Sequence, residues 1–241
     1  MQVPNLLNLR ELGGLPLQSG GTTRLRSLLR ADTLDRLTEE GMLSLVDYGL
    51  RTIIDLRWPE EVRMGEYGLL LAGLPVQRRH ISLMKSNEAE WRQLRLKPRP
   101  KDQLNCVALA HTAPQMLQII RAVAHAPEGV VLFHCHSGKD RTGLVSTLLL
   151  ALAGVERDAM ERDYTLSEEL LRDEYLTDRA DLSQDEIQRR LHCPPEQVTN
   201  TMSYLATHHA GVEGYLQFLG LTLQEINMIR NRLVVDNSQD P

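Results

Sequence analysis

Apolar positions recur in two rhythms along this chain, and the rhythm changes several times in the first 155 residues. Two short runs are rich in β-branched residues and enter through glycine. Thr52-Ile-Ile-Asp-Leu56 follows Gly49, and Val130-Val-Leu-Phe133 follows Gly129. Such runs read as buried strands. A weaker strand is expected around Arg79–Leu83. Between them the spacing is helical. Thr38 caps a helix through Tyr48, with Met42, Leu45 and Val46 on one face and Gly49 just past its end. Pro114 opens a second helix, with Met116, Leu117, Ile120 and Val123 at helical spacing, closed before Pro127. A third runs from Thr142 to about Ala153 and stops at Gly154. It is apolar nearly all round, the pattern of a buried helix.

Strands alternating with helices predict an α/β fold, a three-layer α/β/α sandwich with a mostly parallel central sheet. After Gly154 the pattern is helical to the end. Capping-box spacings occur at Ser183 with Glu186 and at Thr222 with Glu225. The stretch from Lys85 to Asn105 is polar, carries Trp91, Pro98 and Pro100, and reads as an excursion from the sheet, a candidate lid. No linker divides the chain. One domain over residues 1–241 is expected, with 155–241 a helical extension packed on it.

Composition narrows the function classes. Hydrophobic residues make up 42% and charged residues 24%, ordinary for a globular protein with a sizeable core. The net charge is −5 with no polybasic run, which argues against a nucleic-acid partner. The longest apolar run, Leu144–Val155, is too short to span a bilayer, so no stable membrane insertion is expected. The first residues lack the pattern of a signal peptide. Three cysteines, Cys106, Cys135 and Cys193, suit a reduced compartment, and cytoplasm is the expectation. Neither His192-Cys193 nor His208-His209 has metal-ligand spacing, and no nucleotide-binding glycine string is present; no metal or cofactor is expected.

The chemistry concentrates in one stretch. Val130 to Gly143 reads strand, cysteine, five residues, arginine, apolar helix. The strand end presents Cys135 at the carboxyl edge of the sheet, where open α/β folds bind ligands. The helix N-terminus that follows offers unpaired N–H groups to an anion. Residues His136, Ser137, Gly138, Lys139, Asp140, Arg141 and Thr142 form the phosphate-binding loop of this reading. Arg141 supplies a planar fork for two phosphate oxygens. Gly138 allows a close approach or a positive φ. A thiol in such a setting is favoured as thiolate, the nucleophilic form. The alternative for Cys135 alone is an inert buried thiol. That alternative leaves the downstream Gly, Arg, Thr and Gly unexplained. The sequence reading is therefore a cysteine-dependent phosphomonoester hydrolase.

His134 to Gly143, HCHSGKDRTG, resembles the signature loop of the protein tyrosine phosphatase superfamily. Its GKDRTG ending is most similar to bacterial tyrosine/serine phosphatases related to lipid-active dual-specificity enzymes. Asn8-Leu-Arg-Glu-Leu-Gly-Gly14 resembles their NFRDLGG opening. Arg30-Ala-Asp32, Ile54-Asp-Leu-Arg57 and Glu60/Glu61 resemble their RSD…DLR…E pattern, and Gly214–Leu216 with Leu219–Thr222 resembles their C-terminal helices. The resemblance implies a cysteine phosphatase-like fold, Cys135 as nucleophile and Arg141 as phosphate ligand. It implies phosphotyrosine proteins or phosphoinositides as substrates and inorganic phosphate as product.

A general acid must protonate the leaving oxygen. Trp58-Pro-Glu60 imitates the mobile acid loop of many tyrosine phosphatases, but it lies 77 residues before Cys135 and reads as a coincidence. Asp140, inside the loop, is the acid that the resemblance implies, the alternative being that it only orients the loop or pairs with Arg or Lys; Asp32, Asp55 and Asp163 are lesser candidates. Thr142 could donate its hydroxyl to the thiolate, and His134 could support the loop. Lys139 is open between recognising extra phosphates on an inositol ring and stabilising the loop. His136 reads as solvent-facing, and Arg10 and Arg57 as structural. Glu60 and Glu61 either orient Arg141 or are solvated. A phosphoinositide phosphatase and a catalytically inactive phosphoprotein-binding module are the alternative functions.

Overall fold

The computed structural model describes residues 3–62, 66–84, 103–177 and 183–235. Five strands form one sheet: β1 (Arg10–Glu11), β2 (Leu28–Ala31), β3 (Leu50–Asp55), β4 (Gln77–His80) and β5 (Val130–His134). Their spatial order is β1-β2-β5-β3-β4. Only β1 runs antiparallel, against β2; every other pairing is parallel. The mostly parallel sheet is the one expected from the alternation of strands and helices.

Helices follow in chain order: α1 (Glu39–Tyr48), α2 (Glu66–Leu70), α3 (Leu104–His111), α4 (Ala113–Ala124), α5 (Asp140–Ala153), α6 (Arg157–Leu170), α7 (Arg172–Thr177), α8 (Gln184–Leu191), α9 (Glu196–His209), α10 (Val212–Phe218) and α11 (Leu223–Leu233). The terminators act as read. Thr38 Oγ1 accepts the Gly41 N–H at 3.1 Å to start α1, and Gly49 ends it in the left-handed region. Thr222 and Glu225 cap α11 reciprocally.

Core residues on β5 alternate between two clusters. Val131 and Phe133 pack with α4, α5, α6 and the C-terminal helices. Val130 and Leu132 pack with Met42 and Leu45 of α1 and with Tyr67 of α2. A strand buried on both faces needs apolar residues at every position, which is why Val130–Phe133 shows no polar alternation. This arrangement puts helices on both faces of the sheet and leaves the carboxyl ends of β2, β5 and β3 side by side.

Some expectations shift. The strand placed at Arg79–Leu83 is instead Gln77–His80, paired residue by residue with β3. The helix expected from Thr142 begins at Asp140. Strand β2 was not anticipated, because Leu28-Leu-Arg-Ala31 carries an arginine where a buried strand should be apolar. Helix α3 begins inside the expected excursion; its residues 85–102 lie outside the described ones.

Candidate active site

Cys135 follows directly on β5, the central strand of the five, and is buried. Residues 135–139 turn sharply and enter α5 at Asp140. Gly138 makes that turn possible. Its φ is +65°, and a Cβ there would lie 2.3 Å from the Ala31 carbonyl oxygen and 2.7 Å from the Asp32 nitrogen. The loop therefore rests against the end of β2 with room for no side chain.

Three successive loop carbonyls are held from outside. The Thr33 N–H donates to the His136 carbonyl at 2.8 Å. The Asn8 side-chain amide donates to the Ser137 carbonyl at 2.8 Å. Arg30 Nη2 donates to the Gly138 carbonyl at 2.6 Å. In a trans peptide the C=O and the next N–H point opposite ways, and none of the described peptide bonds is cis. Pulling the carbonyls of 136–138 outward turns the amides of Ser137, Gly138 and Lys139 inward. With the unpaired amides of the first turn of α5, they make a concave anion nest at the head of a helix.

Arg30 is itself fixed. Its Nη1 donates to Asp163 Oδ2 at 2.6 Å, and Asp163 Oδ1 accepts from Arg10 Nε at 2.7 Å. Burial works against the Asp163 charge, but Arg30 and Arg10 hold its pKa below the ordinary value. Arg10 also reaches the Asn8 side-chain oxygen at 2.5 Å, so it orients the residue that holds the Ser137 carbonyl. The structural reading of Arg10 and Arg57 agrees with these contacts. Arg57 is fully buried between Asp55 (3.0 Å) and Asp35 (2.6 Å).

Arg141 meets Glu61 in a fork, Nη1 to Oε2 at 2.5 Å and Nη2 to Oε1 at 2.9 Å. Burial disfavours its charge, yet Cys135, Glu61 and Asp140 carry its pKa above the ordinary arginine value. The Trp58 ring centroid lies 5.0 Å from its guanidinium carbon. The backbone N–H of Trp58 also donates to Glu61 Oε2 at 2.8 Å, which fixes the short turn Pro59–Glu61. The Trp58–Glu61 segment is thus part of the site. Its contribution is an anchor for Arg141 through Glu61, one of the two roles left open for that residue by the sequence.

His134 is fully buried. Its Nδ1 lies 3.2 Å from the Cys135 carbonyl, its Nε2 3.4 Å from Tyr67 Oη and 3.7 Å from Asp55 Oδ1. Burial outweighs the pull of Asp55 and takes the imidazole down to about 4, so it is neutral near neutrality. It supports the loop and does not supply charge.

The carboxylates sort clearly. Asp55 is buried, and despite that burial its pKa lies well below the usual range, held there by His134 once acid protonates that imidazole, by Arg57 and by the Tyr67 hydroxyl. Asp32 accepts the N–H groups of Leu7 and Asn8 at 3.0 Å and Arg36 at 2.9 Å. Asp163 holds Arg10 and Arg30. All three are tied into the scaffold. Asp140, at the first turn of α5, is 45% exposed, with Lys139 Nζ at 3.7 Å. Lys139 is buried, and its ammonium donates to the Arg190 carbonyl in the last turn of α8. A helix C-terminus favours a cation, so this lysine ties α8 to the loop. Thr142 Oγ1 is buried with no hydrogen-bond partner among the described residues. His136 is exposed and contributes its carbonyl to the loop.

Sequence reasoning assigned no loop-holding role to Asn8, Arg30, Thr33 or Asp163. The motifs Asn8–Gly14 and Arg30–Asp32 contained the first two; Asp163 was weighed only as a lesser candidate acid, and its place is instead in the scaffold, holding Arg10 and Arg30.

The model of the tyrosine phosphatase family matches residues 1–235. A tyrosine-protein phosphatase of Nostoc commune is 30% identical, over 86% of this chain and 74% of that one. The triple specificity protein phosphatase PtpB of Mycobacterium tuberculosis is 25% identical, over 97% of this chain and 98% of its own. The crystal structure of TpbA from P. aeruginosa is 15% identical with a TM-score of 0.42, covering 81% of this chain and 88% of that one. A family match across nearly the whole sequence, together with a relative of 30% identity, places this chain in the tyrosine phosphatase family.

Proposed function

We propose that this protein hydrolyses phosphotyrosine in proteins through a phosphocysteine formed on Cys135. As a member of its family it is a cysteine-based phosphomonoester hydrolase. One observation supports the residue assignment: three loop carbonyls are drawn outward by Thr33, Asn8 and Arg30, so the amides converge around the end of β5 where Cys135 sits.

In the first step the Cys135 thiolate attacks phosphorus. An S–P bond forms, the bond to the phenolic oxygen breaks, and Asp140 gives that oxygen its proton. In the second step Asp140 takes a proton from water as the water oxygen attacks phosphorus. The S–P bond breaks, inorganic phosphate leaves, and the thiolate returns. The loop amides and the Arg141 fork match the charge on the equatorial oxygens in both steps. Glu61 orients that fork. Thr142 holds an uncommitted hydroxyl one residue beyond Arg141, available to the departing thiolate.

The phosphoinositide alternative drew on Lys139. With its ammonium committed to the Arg190 carbonyl and Asp140, that side chain is not presented for a second phosphate. The binding-module alternative required a missing nucleophile, arginine or acid, and Cys135, Arg141 and Asp140 stand together at one loop.

Turnover of p-nitrophenyl phosphate and of a phosphotyrosine peptide, in chelator, tests the proposal on wild type and Cys135→Ser. Turnover that disappears in the variant is expected. Undiminished turnover in Cys135→Ser refutes the mechanism. Hydrolysis of phosphoinositides with none of the peptide refutes the substrate assignment.

A further inference from the structure

The groups that hold a phosphoryl group meet the same oxygens whether the ester is aryl or alkyl. Loop amides and the Arg141 fork therefore give no preference between phosphotyrosine and phosphoserine. A preference has to come from a surface that meets what lies beyond the ester oxygen. Among the described residues, the phenyl and phenol rings nearest the loop are withdrawn from that role. Phe133, Tyr67 and Tyr164 are at most 1% exposed and belong to the core. Trp58 differs. It is half-buried, and the Arg141 guanidinium carbon lies over its ring, 5.0 Å from the centroid.

Directions around Arg141 separate the ligands it can hold. Every guanidinium N–H lies in its plane, so anions approach at the edges, and a π surface suits the faces. Glu61 takes one edge, with one N–H from each Nη at 2.5 Å and 2.9 Å, leaving the others for phosphoryl oxygens. Burial opposes the Arg141 charge, and among the anions that restore it Cys135 counts most, so nucleophile and guanidinium share one small volume. The indole covers a face. It stands beside a bound phosphate and does not compete with it.

The indole is also set before any ligand arrives. The Leu56 N–H donates to the His134 carbonyl at 2.8 Å, tying the end of β3 to the strand that carries Cys135. Arg57 is locked between Asp55 and Asp35. The Trp58 N–H donates to Glu61 Oε2, the Trp58 carbonyl accepts the Glu61 N–H at 3.0 Å, and Pro59 stiffens the turn between them. A tryptophan held this way offers a broad, rigid surface at low entropic cost.

We infer that Trp58 is a specificity-determining residue, the wall against which the phenol ring of phosphotyrosine lies while the phosphoryl group sits between Cys135 and Arg141. A single oxygen joins phosphorus to that ring, so a phosphate at the edge of Arg141 brings the ring to the indole over its face. Aromatic pairs with centroids about 4.5–7 Å apart attract beyond the area they bury. A serine phosphate has only a methylene at that place. This rests on the reading of Arg141 as phosphate ligand and of phosphotyrosine as substrate.

The test measures binding by calorimetry, apart from turnover. Phenylphosphonate carries the ring and inorganic phosphate does not. Wild type is compared with Trp58→Leu and Trp58→Gln, which remove the π surface in an apolar and a polar way, and with Trp58→Phe, which keeps one. Melting curves confirm folding, and cleavage of a phosphotyrosine peptide is followed in parallel. In the Leu and Gln variants the Kd of phenylphosphonate and the KM of the peptide should rise about three- to tenfold. The Kd of inorganic phosphate should stay within about twofold of wild type, and Trp58→Phe should fall between. Equal weakening of both ligands overturns the wall and leaves Trp58 as a support for Arg141 alone. Unchanged affinity for phenylphosphonate, with the peptide still cut, overturns it and keeps the substrate reading. A wild type that leaves the peptide uncut removes the substrate reading and the wall with it.

Discussion

Replacing Arg30 with methionine keeps the length of the side chain and removes its guanidinium. Three contacts disappear: the 2.6 Å bond to the Gly138 carbonyl, a longer one of 3.4 Å to the Lys139 carbonyl and the 2.6 Å ion pair to Asp163. Arg30 is completely buried and Asp163 is 6% exposed, so solvent screens neither loss. A hydrogen bond to a charged group contributes about 1.5–3 kcal/mol. Breaking a buried pair by removing one partner costs about 3–5 kcal/mol, moderated here because Asp163 keeps Arg10. A total of about 3–4 kcal/mol is expected, within the ~5–15 kcal/mol that holds such domains folded. The variant should fold at 25 °C with a clearly lower urea midpoint. Catalysis should suffer more than this stability loss implies, since the Gly138 carbonyl is no longer held outward. Loss of one anion-stabilising donor lowers turnover about 10²–10³-fold, and a comparable loss in kcat/KM is expected. Arg10→Met is the control: it also leaves Asp163 with a single partner but makes no bond to a loop carbonyl. It should lose similar stability and less activity. If Arg30→Met unfolds within about 1 kcal/mol of wild type and turns over within about threefold of it, the carbonyl-clamp account is wrong.

Gly138→Ala should nearly abolish turnover, since the added Cβ meets backbone of β2 and φ is positive; normal activity in this variant would refute the account of the loop's close approach. Glu61→Gln should weaken substrate handling about 10- to 100-fold in kcat/KM by loosening the Arg141 fork, with vanadate titration reporting weaker anion binding; unchanged affinity for vanadate would count against the anchoring role. The pH dependence of stability follows from His134, whose pKa falls from 6.5 to about 4 on burial. Between those values the unfolded chain binds a proton that the folded protein does not, so stability decreases as pH falls, by up to about 1.4 kcal/mol per pH unit. Urea midpoints at pH 5 and 7 should differ in wild type and converge in His134→Gln; an equal difference in both proteins would assign the effect elsewhere.

The legible parts of this protein were those in which one local run carries both pattern and purpose. Val130–Phe133 could be read as a doubly buried strand because each position is apolar, and Gly154 ended α5 as its left-handed conformation requires. His134 to Gly143 exposed the chemistry because nucleophile, turn glycine and arginine are contiguous. The first turn of α5 was missed because Asp140 and Arg141 carry chemistry where the helical pattern wants apolar residues. Strand β2 was hidden by Arg30, whose presence makes sense only beside Asp163, 133 residues later. Thr33 is equally mute in sequence, and Asn8, though inside a recognisable motif, gave no sign of its task, since each acts on the loop from a distant part of the chain. Glu61 was legible as a possible partner of Arg141, but with 80 positions between them the sequence could not choose between that role and a solvated one.

Those distances bear on when the thiol becomes a catalyst during synthesis. The donors that shape the loop come from residue 8, from residues 30 and 33 and, through Arg30, from residue 163. A growing chain that has just released its strand and arginine carries the full signature, but the buried carboxylate that steadies Arg30 has not yet been made. Until α6 docks, the Arg30 clamp on the Gly138 carbonyl stands without the carboxylate of Asp163, while the clamps from Asn8 and Thr33 need nothing beyond the loop itself. The full set of groups that shape the loop around Cys135 therefore exists only once residue 163 has been made and has joined the fold.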